Sequence, residues 1–409
     1  MTHRVTTLEA GLTVVTEPMS DVRSASIGFW VGTGSIDEPA AHAGASHFLE
    51  HLLFKGTEER SARSIAMAVD SVGGDMNAYT TKEYTTFYVR LLGEDADMGV
   101  QLLSDIMWSP AFRPDDFESE RQVILEEILM HADEPADLVH DVLAGALFPD
   151  HPLGREVLGS AETVSAMAVG DVATFHGRHY RPGNVVVAAA GAVDHDRMCD
   201  LLSSSLEVAG APRGGHAPER RAPTPAGGGR VDLARDTEQV HVAIGLAGPD
   251  RSDEDRHAMA VIEHVLGGGM SSRLFQSVRE DRGLAYSIYS YRMGFEGAGA
   301  LVVYAGTSPE QQATVVGLIE EEIERMAAVG VSEAELAAAK SHARGSTALG
   351  LEDSGARMSR IGHSQLIHGR VLSLDEIDAR LTALTLDEVN ASAARWLSQA
   401  RVVATVGPL

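Results

Sequence analysis

His47-Phe48-Leu49-Glu50-His51 lies between a strand-like segment, 24–32, with Ile27, Phe29 and Val31 at alternate positions, and a segment of helical character, 61–72, that stops at Gly73-Gly74. Read as part of a helix over 41–54, the five residues put His47, Glu50 and His51 on one face, because positions i, i+3 and i+4 are neighbours on an α-helix. Two imidazoles one turn apart can hold a single metal ion, with a carboxylate beside it. A further acidic ligand would complete the protein's share of a tetrahedral site and leave one position open for water.

The order H-x-x-E-H reverses the more familiar H-E-x-x-H and is the inverted zincin motif. His47 and His51 are expected as neutral zinc ligands. Glu50 is expected to take a proton from water activated at the zinc and to pass it to the leaving amine. The third ligand is sought in the acidic, strongly helical run 117–131, where Glu120, Glu126 and Glu127 are candidates. Seven residues is close to two turns, so Glu120 and Glu127 share a face and Glu126 points away from it. Glu127 is assigned as the ligand. Glu120 is assigned to orient a ligand histidine or the water.

The remaining elements repeat one order twice. Segments 4–7, 12–16 and 24–32 read as strands, followed by the motif helix, the helix 61–72, the strand pair 75–81 and 85–92, four helical segments and the strand 184–191. Residues 210–230 are rich in Pro, Gly and Arg without apolar periodicity, which predicts an exposed linker. Beyond it come a strand at 239–246, helices at 255–266 and 273–281, strands at 285–293 and 298–305, further helices and a closing strand at 401–406. Ala260-Val261-Ile262-Glu263-His264 stands where the first half has His47 to His51, with alanine in place of the first histidine. A duplication follows, with metal expected only in the first copy, one ion per chain. The expected fold class is α+β: two duplicated α/β sandwich domains, each a mainly antiparallel sheet covered by helices. Their expected bounds are 1–209 for the zinc-binding catalytic domain, 210–230 for the linker and 231–409 for the domain without metal.

A length of 409 residues supports more than one core. The formal charge of −26 opposes binding to nucleic acid or to an anionic membrane. The single cysteine, Cys199, excludes an intrachain disulfide. With neither a continuous apolar span nor a signal-like N-terminus, the expectation is a cytoplasmic protein.

The motif segment 47–57, the helix bearing Glu120 and Glu127, and Gly74-Asp75-Met76-Asn77-Ala78-Tyr79-Thr80 together resemble the pitrilysin/insulinase family of metallopeptidases. The resemblance is closest to its processing-peptidase branch, which includes mitochondrial processing peptidase. His151-Pro152-Leu153-Gly154, residues 184–194 and Gly267 to Phe275 extend it over nearly the whole chain. It implies zinc ligands at His47, His51 and Glu127, a base at Glu50 and a supporting carboxylate at Glu120. It further implies that Asn77 lies on an edge strand that pairs with an extended substrate, and that Arg279 and Tyr286 steady the scissile peptide. In the family, two such chains enclose a chamber that admits peptides and unfolded segments. Because both the zinc motif and the Arg279/Tyr286 pair are present here, a homodimer is expected, with a heterodimer as the alternative. The competing function is a noncatalytic assembly or peptide-binding subunit. A maturation protease dedicated to one peptide product would use the same chemistry. Gly267 to Gly269 resembles a shortened form of the glycine-rich loop of the noncatalytic processing subunit, or is a turn between helices.

Overall fold

A computed structural model describes residues 3–224 and 226–408. Pro225 of the expected linker, and the ends of the two expected domains, lie outside the described residues. In chain order the strands are β1 (Arg4–Thr7), β2 (Thr13–Pro18), β3 (Ser24–Val31), β4 (Asp75–Thr80), β5 (Thr85–Leu92), β6 (Val185–Gly191), β7 (Gly229–Ala234), β8 (Val240–Gly248), β9 (Ala285–Phe295), β10 (Ala298–Thr307) and β11 (Arg401–Gly407). The helices of the first half are α1 (Ala45–Leu53), α2 (Ala62–Asp70), α3 (Ala96–Trp108), α4 (Pro114–Ala132), α5 (Pro135–Leu147), α6 (Ala161–Ala166), α7 (Val169–His179) and α8 (His195–Val208). Those of the second half are α9 (Asp255–Gly267), α10 (Gln312–Val329), α11 (Glu333–Gly350), α12 (Ser354–His368), α13 (Leu374–Ala383) and α14 (Leu386–Trp396).

The chain forms two compact units, each with one sheet. The first sheet runs β1-β2-β6-β3-β5-β4 and the second β7-β11-β8-β10-β9. Each is antiparallel except for one pair, β2 with β6 and β7 with β11. The expected mainly antiparallel, helix-covered sheets are therefore present. The duplication extends to strand order, with β6-β3-β5-β4 matched by β11-β8-β10-β9.

The units do not follow the expected contiguous bounds. Leu129–Arg155 belongs to the second unit and Thr347–Ser373 to the first. Packing explains both placements. The apolar face of α5, with Leu143 and Leu147, lies over Gly245 of β8, where a Cβ would meet Leu147 at 2.7 Å. In the first unit, Gly362 lets α12 rest on the ring of Trp30, which is fully buried in β3 with Met358 and Ile361. Two buried ion pairs fix α12 to β2: Arg357 and Arg360 hold the Glu17 carboxylate at 2.8 and 2.6 Å. Each sheet thus has one face under its own half's helices and the other under a helix from the opposite half of the sequence.

Smaller departures have local causes. The expected linker ends at residue 228, because Gly229–Ala234 pairs in parallel with β11. Five α-helices, not four segments, separate β5 from β6. The expected helix 273–281 contains a widened π-helical turn at Phe275–Glu280.

Candidate metal centre

Helix α1 begins on the buried carboxylate of Glu38, which accepts hydrogen bonds from the Gly44 N–H at 2.8 Å and the Ser46 N–H at 2.6 Å. These are amides that a helix start leaves without internal partners, and an anion there also suits the helix dipole. Phe48, Leu49, Leu52 and Leu53 enter the main core of the unit. His47, Glu50 and His51 are left on the opposite face.

Helix α4 is set against α1 by the stacked rings of Phe48 and Phe117, whose centroids are 4.4 Å apart. Arg121 lies over Phe117 and donates to the Met167 carbonyl at 2.8 Å, which fixes the rotation of α4. Ile124 packs inward, and one turn later Glu127 reaches the histidines. Glu126 is exposed, as the helical spacing predicts.

Glu127 Oε2 lies 3.7 Å from His47 Nε2 and 3.5 Å from His51 Nε2. It is buried and has no hydrogen-bond partner. Donor atoms about 2.0–2.2 Å from a tetrahedral zinc ion stand roughly 3.3–3.5 Å from one another. The spacing therefore fits an ion between the three atoms, and the orphaned carboxylate oxygen needs a positive partner. Burial, aided by repulsion from His51, lowers the His47 pKa to about 3, so this imidazole is neutral as a ligand must be.

Further polar side chains surround these three residues. Glu120 is buried and shares a hydrogen bond with His51 Nδ1 at 3.0 Å, which leaves Nε2 directed at Glu127. Lys55, one turn after His51, forms an ion pair with the other oxygen of Glu120. Glu50 accepts a hydrogen bond from Thr80 Oγ1 at 2.7 Å. Burial raises the Glu50 pKa, while the Thr80 bond opposes the shift. Lys55 and Thr80 received no role from the sequence. Lys55 could have been found from its i+4 relation to His51; the Thr80 contact depends on how the edge strand crosses α1.

Asn77 is exposed on β4, an edge strand, and its Oδ1 accepts the Ala78 N–H at 2.8 Å. The second unit holds Arg279 and Tyr286 side by side, with the guanidinium 5.0 Å from the phenol ring centre and 4.7 Å from that of Phe275. Tyr286 is 80% exposed. In the same unit Glu263 stands 3.7 Å from Arg292. Gly267 passes so close to β9 that a Cβ would come within 2.6 Å of the Ser290 nitrogen, which explains glycine there as a packing requirement.

Comparison with known proteins finds relatives along nearly the whole chain. Residues 13–161 match the family described as insulinase (peptidase family M16), and 167–342 match the peptidase M16 inactive domain. An uncharacterized zinc protease of Streptomyces coelicolor is 46% identical over 100% of this chain and 90% of its own length. One from Mycobacterium tuberculosis is 48% identical over 99% of this chain and 93% of its own. A crystal structure described as a peptidase M16 inactive domain from Pseudomonas fluorescens superposes with a TM-score of 0.93 at 20% identity, covering 100% of this chain and 98% of that one. That last likeness concerns the fold.

Proposed function

This chain belongs to the insulinase family of peptidases (M16), and from that premise we propose that it is a zinc-dependent endopeptidase binding one zinc ion per chain. The observation that carries the reading is the unpartnered Glu127 oxygen facing two imidazole nitrogens at 3.5 and 3.7 Å. His47, His51 and Glu127 would hold the ion. When bound, zinc supplies a positive charge that acidifies water and polarises a carbonyl.

The chain's own residues supply the rest. Glu50 accepts the proton of the attacking water and delivers it to the amine as the peptide C–N bond breaks. Its raised pKa suits both directions of transfer. Thr80 holds the carboxylate in place between them. Glu120 fixes the orientation of His51, and the ion pair with Lys55 keeps Glu120 aimed. The free edge of β4 would offer backbone donors and acceptors to an extended peptide whatever its side chains. Asn77 covers the Ala78 N–H until a peptide strand replaces it.

The substrates proposed are peptides and unfolded segments cleaved within a chamber formed by two copies of the chain. Arg279 and Tyr286 of the partner copy would offer a guanidinium and a phenol to the carbonyl oxygen as charge develops. Cleavage of a quenched-peptide library, before and after chelation and with zinc restored, tests the reading. Zinc-restored cleavage is the expected result. Stoichiometric zinc without cleavage of any peptide would instead favour a peptide-binding subunit. Mass photometry showing fully active monomers would remove the two-copy chamber.

A further inference from the structure

Helices α3 and α8 pack side by side over the first sheet, and each turns one stripe away from the core. In α3 the core takes Leu102, Leu103, Ile106 and Met107, and in α8 Met198, Leu202 and Leu206. Positions i, i+3, i+4 and i+7 then share another face of each helix: Gln101, Ser104, Asp105 and Trp108 in α3, and Leu201, Ser204, Ser205 and Val208 in α8. Between these stripes lies a cavity of about 680 Å³, the size of a small-molecule site. Phe112, His176 and the turn 58–60 complete its lining, and no residue of the metal centre belongs to it.

The lining holds polar groups that the chain leaves unpaired. Ser104 Oγ and the Trp108 indole N–H are buried and have no hydrogen-bond partner. Burial lowers the His176 pKa to about 4, so the imidazole is neutral. Its Nε2 donates to the Met107 carbonyl at 2.9 Å, which leaves Nδ1 as an acceptor. Phe112 stands edge to face with that ring, centres 5.3 Å apart, and holds a left-handed backbone at φ 43°. For a bulky residue this conformation is strained, and such strain concentrates at functional sites. The mouth is acidic. Asp105 accepts from Thr57 at 2.8 Å and from Arg60 at 3.1 Å, which fixes the turn and neutralises the guanidinium of the lining. Glu58 and Glu59 are exposed on the same turn, with no cation within ion-pair distance among the described residues.

We infer that this cavity binds a small aromatic amine with a hydroxyl on its ring. The ring lies against Trp108 and Phe112. The hydroxyl accepts from the Trp108 N–H or Ser104 and donates to His176 Nδ1, which supplies the partners these groups lack. The ammonium faces Glu58 and Glu59 at the mouth, where an anion would be repelled. This site stands apart from the metal centre and does not depend on peptide cleavage.

The test uses zinc-loaded full-length protein and three probes: tyramine, phenethylamine, which lacks the hydroxyl, and 4-hydroxyphenylacetate, in which a carboxylate replaces the amine. Affinity is read by saturation-transfer NMR at low ionic strength. Tyramine should bind about fivefold more tightly than phenethylamine and about tenfold more tightly than 4-hydroxyphenylacetate, the sizes of a hydrogen bond and of partly exposed charge contacts. Glu58→Gln combined with Glu59→Gln should bring the second ratio toward one and leave the first unchanged. Trp108→Phe, which keeps an aromatic face but removes the N–H, should lower the first ratio and leave the second. Because both glutamates are exposed, their variant tests the site even where Trp108→Phe fails to fold. No tyramine binding, equal binding of the three probes, or ratios indifferent to these substitutions would overturn the site. Tyramine binding that disappears when zinc is chelated would place the amine at the metal centre and overturn it as well.

Discussion

Glu50 and Glu263 occupy the same place in two copies of one fold. Each lies on the helix that follows the central strand of its sheet, one residue before a histidine, and each is mostly buried with a carboxyl pKa raised by that burial. What surrounds them differs. Glu50 has His47, His51 and Glu127 beside it and a hydroxyl from Thr80. Glu263 has Arg292, and Ala260 stands where a ligand would be. A buried glutamate with a raised pKa is thus a property of this fold position, and chemistry requires the neighbours as well. The comparison separates what the helix provides from what the site provides.

The largest effect expected is loss of metal from the first copy alone. Glu127→Ala removes one of the three donors, so stoichiometric zinc, measured by mass spectrometry on dialysed protein, should be lost together with all peptide cleavage. His264→Ala in the second copy should leave zinc content at one per chain. Zinc that persists in Glu127→Ala and disappears in His264→Ala would place the metal in the other half.

Next in size is the pair of glutamates themselves. Glu50→Gln should lower kcat by about 10²–10⁴-fold, the usual contribution of a general base, with zinc retained. Glu263→Gln should leave kcat within about twofold. Equal losses from both would show that burial of the helix, not proton transfer, underlies the effect. Glu120→Gln is a milder case: it weakens the bond that orients His51 and should reduce zinc affinity by about 10–100-fold, measured by competition with a chelator.

The same comparison shows what a single sequence can and cannot reveal. His47, Glu50 and His51 are legible because their relation is local and set by helical pitch. Glu127 is legible because its distance from Glu120 is two turns, while its approach to the histidines depends on Phe48 stacking on Phe117, which no spacing records. The strands are legible through their apolar runs. The placement of α5 and α12 is not, because an amphipathic helix packs as readily on either sheet, and only the glycines at 245 and 362 mark where each fits. β7 begins within a Pro- and Gly-rich stretch and is exposed along most of its length, so it carries little apolar pattern. The partnership of Glu50 with Thr80 joins two elements 30 residues apart and appears only once the sheet is built.

The smallest effect concerns stability. Because burial raises the folded-state pKa of Glu263 above its ordinary value of 4.5, folding favours the protonated form. Both states are protonated well below that value, and no penalty exists there. As pH rises through the ordinary value and then through the raised one, the folded state retains its proton longer than the unfolded state, and stability declines. Above the raised value the penalty is complete, only partly offset by Arg292 at 3.7 Å. Glu263→Gln removes this titration, so the variant should melt a few degrees above wild type at pH 7 and gain less as pH falls below 4.5. Melting curves followed by circular dichroism at the two pH values measure the difference. A loss of stability at pH 7 would mean that the pair with Arg292 outweighs the cost of burying the charge. In that case the second glutamate holds its own domain together, and the likeness to Glu50 is one of position only.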